Sequence, residues 1–363
     1  MTRALWAVAL LSVLSGGCTG TLSGGSSDPD GGRPIGQVDG GPTGSDASAS
    51  DASTPRIDAG PTDPCAGVMC PEHARCMAGA CRCQPGFSAE GMQCVPLPAG
   101  DPALRTQAEV CDAWRAGHVE NGAWQPGSGS CDPGTLPTES IDDTLRRVNL
   151  FRWLAGLPAV SHDASRHREL MECAHMMSEN NSLSHDPPSG WRCYTAGGAS
   201  AAGRANIALG YPTSASAIDG YMDDRGVPSL GHRRWILNPG LGAVEIGFSG
   251  RGQCLGVFNF GGRADRTWTA YPNQGFAPLE TAQATWSFHA HGISLSGTAV
   301  TVERASDGAM LPVEAYFPGL SGPPPSIGFT PRGWTPAAGE TYRVTIQETS
   351  SGPITYEVTL VRC

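Results

Sequence analysis

The sequence contains no lysine, and all 24 of its basic residues are arginine. A phosphate-cradling G-x-x-x-x-G-K-[ST] loop, a Schiff-base lysine and a Ser/Lys dyad all need an amine, so each is excluded. Charge is scarce altogether: 16% of the residues are charged and the net charge is −10. Non-specific affinity for nucleic acid needs clustered cations, so nucleic acid is not an expected partner. Long apolar runs are missing too. Residues 4–14 form an apolar stretch of eleven, against the roughly 20 that span a bilayer. There is no H-E-x-x-H and no G-x-S-x-G, and Ser184 beside His185 is too close in sequence for a normal base geometry. No catalytic residue is assigned.

At 363 residues the chain has room for roughly two or three domains, and 49 glycines with 30 prolines make part of it linker or turn. Arg3, the apolar stretch and then Ser15, Gly16, Gly17 and Cys18 read as a signal peptide over residues 1–18. Its end resembles a bacterial lipobox, with Cys18 as the lipidated first residue of the mature chain, although Ser15 stands where that motif favours Leu. Ordinary cleavage and secretion is the other reading. Cysteine count favours lipid: 13 is odd, and removing Cys18 leaves an even twelve for disulfides. The expected location is an outer membrane or cell surface, with the lipid membrane as partner through the N-terminal anchor.

Residues 19–64 hold no aromatic, cysteine or glutamate, and seven Asp against two Arg. Such a segment cannot fold alone and gives a flexible linker with a reach of roughly 40 Å. From Cys65 the spacing C-x4-C-x5-C-x4-C-x-C-x10-C runs to Cys94, with Pro85-Gly86-Phe87 in the last loop. Thirty residues bury too little to hold together without disulfides. Spacing alone allows fifteen connectivities, but the segment resembles an EGF-like module. The resemblance implies the pairs Cys65 with Cys76, Cys70 with Cys81, and Cys83 with Cys94. The acidic residues of calcium-binding members are not matched around Asp63, Pro64 or Met77 to Ala80, so calcium is not expected. A rigid spacer and a receptor-binding module are both open.

Residues 95–139 read as a connector in which Leu104, Ala108, Cys111 and Trp114 share a helical face and Cys111 is expected to pair with Cys131. A helix capped by Ser140, with Asp143 in its first turn, carries Ile141, Leu145, Val148 and Phe151 inward. Two more are expected, over 163–180 with Leu170, Cys173, Ala174 and Met177 inward, and over 214–223. Strands follow in 244–248 and 254–260. Beyond residue 278, alternating runs at 298–304, 313–317, 341–347 and 354–362, with Trp286 and Trp334 available for a core, have a β-sandwich pattern. Trp286-Ser287-Phe288 and Gly339-Glu340-Thr341-Tyr342 resemble an Ig-like tail, and Cys363 is expected to reach back to Cys254. Cys173 and Cys193 complete the twelve.

Between these parts lie three motifs: Leu183-Ser184-His185; Ala205-Asn206-Ile207-Ala208; and Gly231-His232-Arg233-Arg234-Trp235-Ile236-Leu237-Asn238-Pro239. With Asn149, Arg152 and Gly156-Leu157-Pro158 they resemble, in this order, the CAP superfamily of cysteine-rich secretory, antigen 5 and pathogenesis-related 1 proteins, of bacterial type. The resemblance implies an α+β fold, an α-β-α sandwich over 140–275. The expected whole is thus multidomain: the EGF-like module at 65–94, the CAP domain, and an all-β Ig-like sandwich at 279–363. It also implies a cleft in which two His and two Glu can hold a divalent metal. By motif position these are His185, His232 and Asp224, while Ala205 stands where one Glu belongs. Two imidazoles and one carboxylate are a zinc ligand set, here a weak one, and no cofactor is required. Hydrogen bonding that ties the cleft loops together is the competing role for both histidines. His162, His167 and His175 match no ligand spacing.

Three functions compete. The protein binds a lipid, sterol or surface ligand without turnover; it is a metal-dependent hydrolase using His185, His232 and Asp224; or it adheres through its EGF-like and Ig-like modules. Substituting Cys18→Ser is expected to release the protein into the medium, and membrane retention of that variant on fractionation would show that Cys18 is not the anchor.

Overall fold

The chain divides into two units, Met1–Ala59 and Gly60–Cys363. The computed structural model describes residues 64–319 and 323–363, all in the second unit. The leader with Cys18 and the linker before residue 64 lie outside the described residues.

The disulfide-rich module is two hairpins, β1 (Ala74–Met77) with β2 (Ala80–Cys83) and β3 (Phe87–Glu90) with β4 (Gln93–Pro96). Its bonds join Cys65 to Cys76, Cys70 to Cys81 and Cys83 to Cys94. Phe87 and Cys94 are its buried apolar side chains, so covalent bonds carry what a core would. It is no free spacer. Arg75 pairs with Asp142, Asn149 Nδ2 donates to Pro85 O at 2.8 Å, and the His162 N–H donates to Gln84 Oε1. Gly86, at φ +92°, lies so close that an added Cβ would stand 2.7 Å from Ala159 Cβ and 2.8 Å from Asn149 Nδ2.

The connector forms α1 (Gln107–Gly117), opened by a Thr106/Glu109 capping box. Leu104 lies outside it and is exposed. α2 (Thr138–Leu154) begins after Pro137, before the expected Ser140, and has no side-chain cap. Ser140 is inside the first turn, its carbonyl taken by Thr144 Oγ1, while Asp143 accepts from the N–H groups of Asn121 and Gly122. After β5 (Ser161–His162), α3 (His167–Asn180) starts later than expected. Asp163 Oδ1 instead accepts the Ser165 N–H in a local turn.

The domain continues through α4 (Ala196–Ala202), β6 (Ala205–Leu209), α5 (Ser214–Asp223), α6 (Gly231–Ile236), β7 (Ala243–Ser249) and β8 (Gly252–Asn259). Its sheet runs β5-β7-β8-β6, with β5 parallel to β7 and the other pairs antiparallel. Alternation along the strands splits the core. Val244, Ile246, Phe248, Leu255 and Val257 pack with α2 and α5, and Ala205, Ile207 and Cys254 with α3 and α4. This is a helix–sheet–helix sandwich. Gly247 lets α3 lie against β7, because a Cβ there would stand 2.2 Å from the Leu170 carbonyl carbon.

Nine further strands follow: β9 (Trp268–Tyr271), β10 (Gly275–Pro278), β11 (Trp286–Ala290), β12 (Val300–Arg304), β13 (Ala309–Leu311), β14 (Val313–Tyr316), β15 (Ser326–Pro331), β16 (Thr341–Ile346) and β17 (Ile354–Val361). They form sheets of order β10-β17-β16-β12-β13 and β14-β15-β11-β9, facing each other across Trp286, Phe288, Phe329, Val344 and Val358. β9 pairs with β11 and β10 with β17. The sandwich therefore starts at Trp268, not at residue 279, and the preceding domain ends before 275.

Two expected bonds are corrected. Cys111 bonds Cys363 rather than Cys131, and Cys254 bonds Cys173 rather than Cys363, leaving Cys131 with Cys193. The chain end lies against α1, where Arg115 also donates to Cys363 O. Burial also reaches histidine. It pushes His162 and His291 down to about 4, and His289, held between Ser287 Oγ and Ser326 Oγ, well below the usual range. The folded state thus holds them neutral, so stability is intact above about pH 6.5 and falls as pH drops toward about 4, by up to about 1.4 kcal/mol per pH unit per histidine. Melting temperatures measured from pH 7 to pH 4 should fall, less steeply for His291→Gln, and a flat profile would contradict the burial of these rings.

Candidate functional site

The site grows from the end of α5. Asp224 caps that helix in the left-handed region, φ +51°, a conformation that Asp tolerates better than most residues. The turn aims its carboxylate at the start of α6. There Oδ1 meets His232 Nδ1 at 2.7 Å and Oδ2 accepts the Arg233 N–H at 3.1 Å. The Asp224 side chain has no exposed surface, and that of His232 is 21% exposed. With a carboxylate on Nδ1, the neutral ring carries its proton there, leaving Nε2 as the lone-pair nitrogen on the open side.

Neighbouring elements fix the ring. Asn206, on β6, donates from Nδ2 to His232 O at 3.0 Å. Tyr221, on α5, donates to Asn206 O at 2.8 Å and lies 5.0 Å, centroid to centroid, from the His232 ring. Burial pushes the Tyr221 hydroxyl up, so it stays protonated as a donor. Arg233 points the other way, into the seam with the sandwich. It donates to Met222 O, Thr285 O, Ser287 Oγ and Asp223 O, with its guanidinium carbon 4.2 Å from the Tyr271 ring centroid. Arg234 donates to Pro323 O at 2.7 Å.

Of the three candidate ligands, Asp224 and His232 are brought together. His185 lies in the loop after α3, is exposed, and has Nδ1 on Ala202 O at 2.8 Å. Ser184 Oγ accepts the Asp186 N–H. Among the described residues no group of three or more His, Cys, Asp or Glu side chains could hold a metal ion. The donor chemistry explains this: Asp224 is buried with both oxygens engaged, and Ala205, where a second carboxylate was sought, is 4% exposed in the α3/α4 core. A metal does not fit this set. The Asp224–His232 pair can instead exchange a hydrogen bond or proton with a bound ligand at Nε2. Sequence reasoning missed Tyr221 and the seam role of Arg233; two arginines beside the motif histidine were the available signal.

Residues 145–258 match the family model described as CAP, the cysteine-rich secretory protein family. This segment runs from the first turns of α2 to the end of β8, the helix–sheet–helix part of the chain. No curated protein and no solved structure matches the chain.

Asp224→Asn replaces an accepting oxygen by an N–H₂ donor facing another donor. It should lower stability by roughly 1–3 kcal/mol in denaturant titration. Ala205→Glu should also destabilise, by a few kcal/mol, since its carboxyl would enter an apolar core, and zinc calorimetry should detect no tighter binding. Tighter zinc binding by Ala205→Glu, lost again in Asp224→Asn, would restore both positions as ligands.

Proposed function

We propose that this is an exported surface protein, anchored by lipid on Cys18, whose CAP domain binds a lipid, sterol or other surface ligand without turnover. The supporting observation is the commitment of Asp224. A carboxylate that serves directly as metal ligand or general base must reach the reacting atoms, and this one is buried behind His232 and the Arg233 N–H, which takes it out of the ligand set that the metal-dependent hydrolase requires. What faces outward is one imidazole nitrogen, suited to orienting a polar headgroup or hydroxyl. The six disulfides suit an oxidising, extracytoplasmic compartment. Among the described residues no helix is long and apolar enough to cross a membrane.

The adhesion reading has less support, because the disulfide-rich module is bonded to α2 and β5 rather than held out as a separate head. The test is mass spectrometry of lipids carried by the protein purified without detergent, comparing native chain with His232→Ala. A defined lipid retained by the native chain and depleted in the variant is expected. An empty native protein that hydrolyses ester substrates in a His232-dependent way would favour the enzyme instead.

A further inference from the structure

Three aromatic side chains meet on the surface at one end of the CAP sheet. Trp235 comes from α6, Phe258 from the end of β8, and Phe260 from the residues just beyond it. Ring centroids are 4.6 Å apart for Trp235 and Phe258, 5.9 Å for Trp235 and Phe260, and 5.8 Å for the two phenylalanines. Phe258 is 44% exposed and Phe260 53%. Leaving rings this open forgoes burial that the adjoining Val257, fully buried, obtains. Contiguous exposed aromatics of this kind mark an interaction surface.

Arginines adjoin it. Arg204 is exposed, and its carbonyl accepts the Val257 N–H, which sets it beside the stretch carrying Phe258. Arg263, three residues past Phe260, is exposed as well. Neither joins an ion pair among the described residues; Asp265 is the exposed acid on the same loop as Arg263. In a chain of net charge −10, two exposed arginines outside any ion pair, on the stretches that carry an apolar cluster, favour an anionic, amphiphilic partner.

We propose that this patch seats the protein on an anionic lipid bilayer, the rings entering the boundary between headgroups and acyl chains while Arg204 and Arg263 meet lipid phosphates. The ring planes are inclined to one another by 50°, 37° and 82°, a wedge rather than the flat platform on which a sugar ring stacks. His232 and Trp235 are three residues apart on α6, hence on one face, so the seated protein turns the open side of His232 toward the lipid. The proposal deepens the lipid-binding reading above by naming the surface through which lipid is met, and it does not need the lipid on Cys18.

The experiment is co-sedimentation of the full chain carrying Cys18→Ser, so that no covalent lipid contributes, with vesicles of phosphatidylcholine alone or mixed with phosphatidylglycerol. Binding to the mixed vesicles is expected, with a loss of about tenfold for Phe258→Ser/Phe260→Ser. A several-fold loss is expected for Arg204→Gln/Arg263→Gln or in high salt. Circular dichroism and melting temperature report whether the variants remain folded, which the exposure of all four residues favours. Absence of binding by the parent chain, or equal binding by the aromatic variant, overturns the proposal. So does a dimer in sedimentation velocity that the aromatic variant abolishes, since that assigns the patch to a second copy. A protein that carries lipid in its cleft yet ignores vesicles would sink this proposal and leave the binding function standing.

Discussion

The Arg233 guanidinium is fully buried, and a cation so placed is tolerated only where fixed oxygens and ring faces replace water around it. Those partners come from two domains: Met222 O and Asp223 O at the end of α5, Thr285 O and Ser287 Oγ at the entry to β11, and the Tyr271 ring of β9. Separating the sandwich from the helix–sheet–helix domain would strand the charge, so the seam holds because neither side can release it cheaply. The same residue's N–H is held by Asp224, which holds His232 in turn. The geometry around His232 and the domain packing thus share one short stretch of chain, residues 231–234.

This coupling changes how the modules are to be understood. The chain looks like beads on a string when its composition is followed from linker to cysteine-rich segment to helices to strands. In the folded unit the beads interlock. The hairpins of the disulfide-rich module contact α2 through the Arg75–Asp142 pair, α1 is bonded to the last residue of the sandwich, and β9 and β10 precede the point at which the β-rich composition becomes obvious. An Arg–Asp pair taken out of water adds little net stability but penalises any arrangement that leaves either charge alone, so such pairs set how modules dock more than how firmly they fold.

Elements with a strong internal pattern were legible in the sequence. Ile141, Leu145 and Val148 at helical spacing mark α2, residues 214–223 mark α5, and alternation marks the outer strands. What stayed hidden depends on partners far along the chain. α6 starts from Leu230 in a left-handed conformation without a side-chain cap, and α4, although capped by Thr195, is a short run of Ala, Gly and Ser with no apolar stripe of large side chains. Cysteine pairing outside the hairpins follows the path of the chain, which no spacing encodes. Asp224 had the right residue type for a ligand, but a ligand and a hydrogen-bond acceptor are chemically the same carboxylate until burial distinguishes them. The sequence motifs around His185 and His232 marked these two histidines without revealing that His232 is held by a carboxylate and His185 by a backbone carbonyl.

The bond between Cys111 and Cys363 closes a covalent ring that takes in the helix–sheet–helix domain and the sandwich. Within it Cys131–Cys193 and Cys173–Cys254 interleave, each spanning one end of the other. A protease that cuts one loop between residues 111 and 363 therefore converts the ring into an open strand without freeing any fragment. Damage of that kind leaves the two domains in one covalent piece, and a second cut or the loss of a bond is needed before any part of the ring can separate.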